Sequence, residues 1–215
     1  MEILNSNQRR KLDESNDLEF YSSPKFVYHL DSNFRKELTN IYNEEFCSDS
    51  TVLDLMSSWD SYLPIKKNYK KVIGHGLNKE ELERNNYLDK YWIQNFNQDQ
   101  NIPLESESID YCLMVAGWQY LQYPENIATE IARILKSNGK LIIAFSNRAF
   151  WTKAPNIWTN SDENQRVEYV RSVLISNGFK EPKVIKKFIS NNLNFFPFLN
   201  FDPFYCLIAQ KESKN

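Results

Sequence analysis

The chain has 215 residues, a formal net charge of −2, 41% hydrophobic and 25% charged residues, the profile of one domain with a sizeable core. A protein that lives on phosphate contacts would be more basic, so nucleic acid is not the expected partner. Cys47, Cys112 and Cys206 are odd in number and form no CxxC, which fits reduced residues of a cytoplasmic protein better than a disulfide frame or a metal site.

The opening MEILNSNQRRKLDE lacks the apolar core expected of a signal peptide, and no apolar run approaches a membrane span. Met1 to Asp17 is polar and reads as a flexible or lightly docked arm. Phe20 to Leu30, FYSSPKFVYHL, is dense in aromatics, and Phe34, Leu38, Ile41 and Tyr42 recur at helical spacing after it. Val52, Leu53 and Leu55 around Asp54 predict a buried strand ending in a carboxylate. Val72 and Ile73 predict a second strand, broken by Gly74 and Gly76. Asn78 with Glu81 three residues on is a helix-start signature. The helix should run from Lys79 to about Asn85, its KEELER run an exposed face. Two strand–turn–helix units in tandem predict a parallel sheet with a ligand at its carboxyl edge.

Tyr91 to Phe96 predicts a short third strand, and Ile109 to Val115 a fourth, apolar enough for burial on both faces. Pro124 opens a helix carrying Ile127, Ile131 and Leu135, with Asn138-Gly139 as its stop and Lys140 to Phe145 as the fifth strand. Ser161 to Ser176 reads as an amphipathic helix stopped by Asn177-Gly178. Two extended runs, Lys183 to Ile189 and Tyr205 to Ala209, flank an aromatic loop from Asn194 to Phe204. The fold class expected is α/β, doubly wound and mostly parallel. Because no helix separates the last two strands, they should form an antiparallel hairpin at one edge.

The order of VLDL, VIGHGLN, IPLESESID before the fourth strand, EIARILKSNGKLIIAFSNR and SNGF before a hairpin resembles the class I S-adenosylmethionine-dependent methyltransferases, over roughly Leu30 to Lys211. EIARILKSNGKLIIAF is similar to that family's E-x-x-R-x-L-K-P-G-G stretch, with Ser137-Asn138 replacing Pro-Gly. LDLMSSW, GHGLN, FYSSPKFVYHLD and AFSNR together resemble an uncharacterised methyltransferase-like subgroup. The resemblance implies a seven-stranded Rossmann-like sheet and S-adenosyl-L-methionine as cofactor. It implies an arm and lid helix over residues 1–46, a cofactor-binding domain over 47–215, and methyl transfer to a small-molecule acceptor. Two departures stand out. The three glycine positions of the family's first loop read Met56, Ser58 and Asp60, and the acid that ends the second strand, which holds ribose hydroxyls, falls at Gly76.

By the same resemblance the cofactor is lined by Asp54, Met56, Ser57, Ser58, Gly74, Gly76, Leu77, Asn78, Asn95, Asn97 and Gly117. Asp54 either orients the cofactor's ammonium through a charge-assisted hydrogen bond or caps the next helix. Ser57 and Ser58 offer hydroxyls and N–H groups to a carboxylate. Leu77 packs on the adenine or is ordinary core. Asn78 replaces part of the ribose contact or simply caps a helix. Asn95 and Asn97 stand near the adenine amino edge. His75 points away from the crevice or lines it only partly.

His29, in the aromatic segment that lids the site in this family, is the candidate general base, with Tyr21 beside it. Trp118 offers a π-face to the sulfonium or plugs the core. Tyr28 and Tyr120 are acceptor-binding candidates; Asn147, Arg148 and Lys153 bind an anionic acceptor group or form a solvated loop. AGWQY lacks the Asn/Asp-Pro-Pro-Tyr pattern of base-methylating enzymes. The alternative function is a non-catalytic binding or assembly module, which the lost glycines and ribose acid favour. A nicotinamide-dependent oxidoreductase is disfavoured because no GxGxxG follows the first strand.

Overall fold

A computed structural model describes residues 3–188 and 201–212. Seven strands, β1 (Ser50–Leu55), β2 (Tyr69–Gly76), β3 (Lys90–Ile93), β4 (Ile109–Val115), β5 (Leu135–Phe145), β6 (Lys183–Lys187) and β7 (Phe204–Gln210), form one sheet in the order β3-β2-β1-β4-β5-β7-β6. The first five are parallel; β7 runs antiparallel to both β5 and β6. The helices are α1 (Ser6–Arg9), α2 (Asp17–Phe20), α3 (Ser32–Glu45), α4 (Lys79–Arg84), α5 (Pro124–Ile134), α6 (Asn156–Thr159) and α7 (Glu163–Ser176). None of them is long and apolar enough to cross a membrane among the described residues.

Alternation along the strands builds two cores. Leu53, Cys112, Leu141 and Ile143 face α5 and α7, where Ile127, Ile131, Val170 and Val173 meet them. Val52, Val72, Leu113 and Ile142 face the other way, onto Phe34, Leu38, Ile41 and Tyr42 of α3. Asp31 caps α3 by accepting from the N–H of Phe34 at 2.8 Å. This helix is a sheet-covering layer rather than a lid, and the boundary expected at residue 46 runs through a shared core.

Several boundaries move for identifiable reasons. β2 does not break at its glycines but continues through both: a Cβ on Gly74 would sit 2.4 Å from a Leu88 methyl, so Leu88 fills the space a side chain would take. α5 ends at Ile134, ahead of Asn138-Gly139. Leu135 already pairs with Ile109, and the register resumes only at Tyr111 and Lys140. Lys136 to Gly139 bulge between these points, with Lys136 paired to Asp110 at 2.8 Å and Asn138 left-handed at φ 65°. The expected aromatic loop lies, over residues 194–200, outside the described residues.

The arm is docked, not loose. Asn5 and Gln8 form a reciprocal cap on α1. Arg9 pairs with Glu125 at the start of α5, and Gln122 Nε2 donates to the Arg9 carbonyl at 2.9 Å. The backbone then runs beside the loop after β5, Asp13 donating to Thr152 at 2.8 Å and Asn156 to Arg10 at 2.8 Å. Arg9 and Glu125 are at most 10% exposed. Glu125→Ala removes the buried carboxylate that Arg9 pairs with, and should cost about 3 kcal/mol of stability in urea unfolding.

Candidate functional site

The carboxyl ends of β1, β2 and β4 open into a cavity of about 400 Å³, roofed by the aromatic segment that follows α2. Tyr21, Tyr28, His29, Asp54, Met56, Ser57, Ser58, Gly76, Leu77, Asn78, Asn95, Asn97, Gly117, Tyr120, Arg148 and Lys153 line it, as the sequence expects. Three expected residues do not. Gly74 lies against Leu88 within β2, Trp118 is buried in the core beside α5 and α7, and Asn147 is exposed and off the wall.

Asp54 ends β1 with its carboxylate 3% exposed, accepting from Ser57 Oγ at 2.6 Å. Burial pushes its pKa from 3.8 up to about 6, against the lowering effect of hydrogen bonds from Ser57 and Ser61. Met56 follows in the left-handed region at φ 55°, so the backbone turn is made without the glycine that would make it cheap. The loop is zipped onto β2. Ser57 N–H donates to the His75 carbonyl at 2.7 Å, and Met56 N–H to His75 Nδ1 at 3.2 Å. Nδ1 being an acceptor, Nε2 carries the proton and donates to the Gln94 carbonyl at 2.9 Å. The ring stacks on Phe96 with centroids 3.9 Å apart. Burial lowers its pKa to about 4, so His75 is a neutral brace in the cavity wall.

This close approach explains Gly76. A Cβ there would stand 2.7 Å from the Ser57 carbonyl oxygen, so no acidic side chain fits at the end of β2. A carboxylate reaches the cavity from α4 instead. Glu81 accepts from Ser58 Oγ at 2.5 Å and from the Lys25 N–H at 2.7 Å. The KEELER run is therefore not wholly exposed. Glu81 is half-buried and Leu82 buried, while Lys79, Glu80, Glu83 and Arg84 face solvent.

Asn78 does what a helix cap does, its Oδ1 accepting from Glu81 N–H at 3.0 Å, while its Nδ2 pins the lid segment through the carbonyls of Tyr21 and Ser22 at 2.9 and 3.0 Å. That leaves it no donor for a ribose. Asn97 is likewise committed, donating to Asp17 and to the Tyr120 carbonyl and accepting from Gln122 N–H. Asn95 accepts from Asn97 N–H at 2.9 Å through its oxygen and keeps its amide nitrogen for the cavity. Lys153, 1% exposed, donates to the Ser15 carbonyl and hydroxyl and pairs with Asp13 at 3.1 Å, so it holds the arm.

At the end of the cavity toward the loop after β5, Phe20, Tyr21, Tyr120 and Phe150 pack edge to face or stacked, with His29 against Phe150 at 5.7 Å. Burial holds the His29 pKa below its ordinary value; Glu81 opposes this, and Lys25 and Arg148 add to it. Sequence reasoning missed Glu81, Lys25 and Phe150, all of which line the cavity. Only Glu81 had a signal, the helix-start pattern with Asn78.

The family model for the methyltransferase domain matches residues 60–143. A search of curated proteins finds no match. Among solved structures the chain is similar to a SAM-dependent methyltransferase from Thermotoga maritima described as a possible histamine N-methyltransferase (TM-score 0.59, 18% identity, 84% of this chain and 90% of that one). It is also similar to a SAM-dependent methyltransferase from Aquifex aeolicus (0.56, 15%, 91% and 97%) and to the [4+2]-cyclase SpnF (0.58, 12%, 83% and 82%). These likenesses are to the fold, here a mostly parallel seven-stranded sheet whose last strand is reversed.

The two perturbed groups give opposite pH dependences. Native Asp54 holds its proton up to about pH 6 whereas the unfolded chain releases it near 3.8, so its contribution to stability falls as pH rises across that window. Native His75 stays neutral down to about pH 4, so its contribution rises with pH up to the ordinary histidine value. Asp54→Asn should therefore gain stability over the parent progressively between pH 4 and 6, by on the order of 3 kcal/mol at the upper end. Urea unfolding at stepped pH checks this; a difference that stays constant with pH sinks the assignment.

Proposed function

We propose that this chain, similar in fold to SAM-dependent methyltransferases and matching a methyltransferase-domain model over residues 60–143, transfers a methyl group to a small-molecule acceptor bound beneath the lid segment. The observation that carries the reading is the buried Asp54 carboxylate. It stands at the end of β1, on the carboxyl edge of a switch-point sheet, in the cavity wall.

S-adenosylmethionine is the cofactor of this superfamily, and it supplies a methyl already activated by a sulfonium. The residues present fit it, with one relocation. Asp54 and Ser57 would take the amino-acid end. Glu81 would take the ribose hydroxyls, since the Ser57 carbonyl denies an acid to position 76. The Asn95 amide nitrogen would donate to the adenine edge, with Leu77 against its face. Gly117 stays bare because a Cβ would strike Met56 at 2.8 Å, which keeps the wall after β4 flat. The chain's own work is to orient the acceptor beneath Tyr21 and Phe150, exclude water, and offer His29, held neutral, to receive a proton.

A second reading, a methyltransferase-fold module that binds without methyl transfer, is favoured by the loop itself. Met56 and Ser58 bring side chains where the family brings bare backbone.

Isothermal titration with S-adenosylmethionine and S-adenosylhomocysteine tests the proposal. Micromolar binding is expected, lost in Asp54→Ala. It should be weaker by about tenfold in Glu81→Gln, the size of one hydrogen bond to a charged group. The affinity should also fall as pH drops below about 6 and Asp54 takes up its proton. Binding without S-adenosylhomocysteine production in metabolite extracts favours the module. No binding to either ligand by the folded protein overturns the methyl-transfer reading and leaves the module.

A further inference from the structure

We propose that the acceptor carries an anionic group, a carboxylate or a phosphate, that docks between Lys25 of the lid and Arg148 of the loop after β5. The proposal rests on the methyl-transfer reading above and deepens it by naming the acceptor class.

The first support is where unspent donors are found. Arg148 is held by Asp202 through Nε, and its two terminal nitrogens meet no protein acceptor among the described residues. A guanidinium anchored on one edge still presents its outer N–H groups in a plane, the geometry that suits a carboxylate or phosphate. Lys25 is fixed by its backbone N–H on Glu81, but its side chain crosses the cavity to the rings of Phe20, Tyr21 and Phe150, at 5.5, 5.6 and 5.8 Å from their centroids. No carboxylate of the described residues lies within ion-pair distance of its ammonium. Lys153, by contrast, has its donors satisfied by Ser15 and Asp13 and offers nothing to a ligand.

The second support is polarity. The carboxylates of Asp54, Asp60 and Glu81 gather on the wall built by the loop after β1 and by α4, while the other lining carboxylate, Asp17, is spent on Lys11 and Lys153. The cations with donors to spare stand toward β5, around Phe150. A cationic methyl donor fits the first wall and an anionic acceptor the second, and their attraction across the cavity favours the encounter.

The third support is the ring cage. Three aromatic faces around one ammonium are a site for a cation, and here Lys25 fills it. A cationic amine entering this end would have to displace a tethered lysine and then face Arg148. An anion would find the charge already in place, with Tyr21, Tyr120 and Phe150 as apolar surface for its body.

The test uses simple probes on the whole chain, by isothermal titration with and without S-adenosylhomocysteine. Benzoate, phenyl phosphate, benzylammonium and benzyl alcohol share one ring and differ in charge. The two anions should bind at least about tenfold tighter than benzyl alcohol, as expected for charge-assisted hydrogen bonds. Which anion binds tighter tells carboxylate from phosphate. Lys25→Met with Arg148→Met should remove that advantage while S-adenosylhomocysteine affinity changes by less than about threefold. Lys25→Glu with Arg148→Glu should invert the order and make benzylammonium the best probe. The proposal is overturned if benzylammonium or benzyl alcohol matches the anions on the parent protein, or if the double methionine variant keeps their affinity. An anion preference in a protein that ignores S-adenosylhomocysteine would retain the anion site and sink the methyl-transfer reading alone.

Discussion

Nδ1 of His75 accepts from the Met56 N–H while Nε2 donates to the Gln94 carbonyl, so one neutral ring fixes the loop after β1 and the turn after β3 together. Only the neutral, Nε2-protonated form can do both, because a protonated ring would set two N–H groups against each other at Met56. Burial between Phe96 and Trp92 enforces that form. The rest of the crevice follows from this brace. It draws Ser57 onto β2, which empties position 76 of any side chain, which leaves the carboxylate of α4 as the acid nearest that end.

The roof of the cavity depends on the same helix. Asn78 and Glu81 each spend one part of their side chain on α4 or the β1 loop and another on the backbone of residues 21–25. At its far end the roof is tied down by Lys11 on Asp17 and by Lys153 on Ser15, under an arm pinned by Arg9. The wall and the roof of the cavity therefore share polar groups, and whatever moves one is felt by the other.

The sheet was legible because its strands are written as short apolar runs with clear stops: β4 matches the expected span, and the absence of a helical pattern in the sequence before Tyr205 foretold the reversed strand. Asp54 and the serines were legible as a charge and hydroxyls ending such a run. What stayed hidden depends on partners distant in sequence. Arg9 meets Glu125 across 116 positions and Lys153 meets Ser15 across 138, so no local pattern marks the arm as docked or that lysine as spent. Lys25 reads as an ordinary lid lysine until its path over Phe150 is seen. Gly74 and Gly76 look alike as strand breakers, yet one makes room for a leucine side chain and the other for a backbone carbonyl, a distinction made only by packing.

That last contact has a historical consequence. Leu88 is the flexible end of a side chain and can yield to a methyl at position 74, whereas the Ser57 carbonyl is backbone and cannot yield to one at position 76 unless the whole loop shifts. The loop is held in turn by Met56 and His75. A lineage carrying this arrangement cannot regain an acid at the end of β2 by one substitution. It must first release the loop, and each intermediate would lose the brace before gaining the carboxylate. The placement of the carboxylate on α4 thus behaves as a ratchet, an arrangement that selection can refine but not readily reverse.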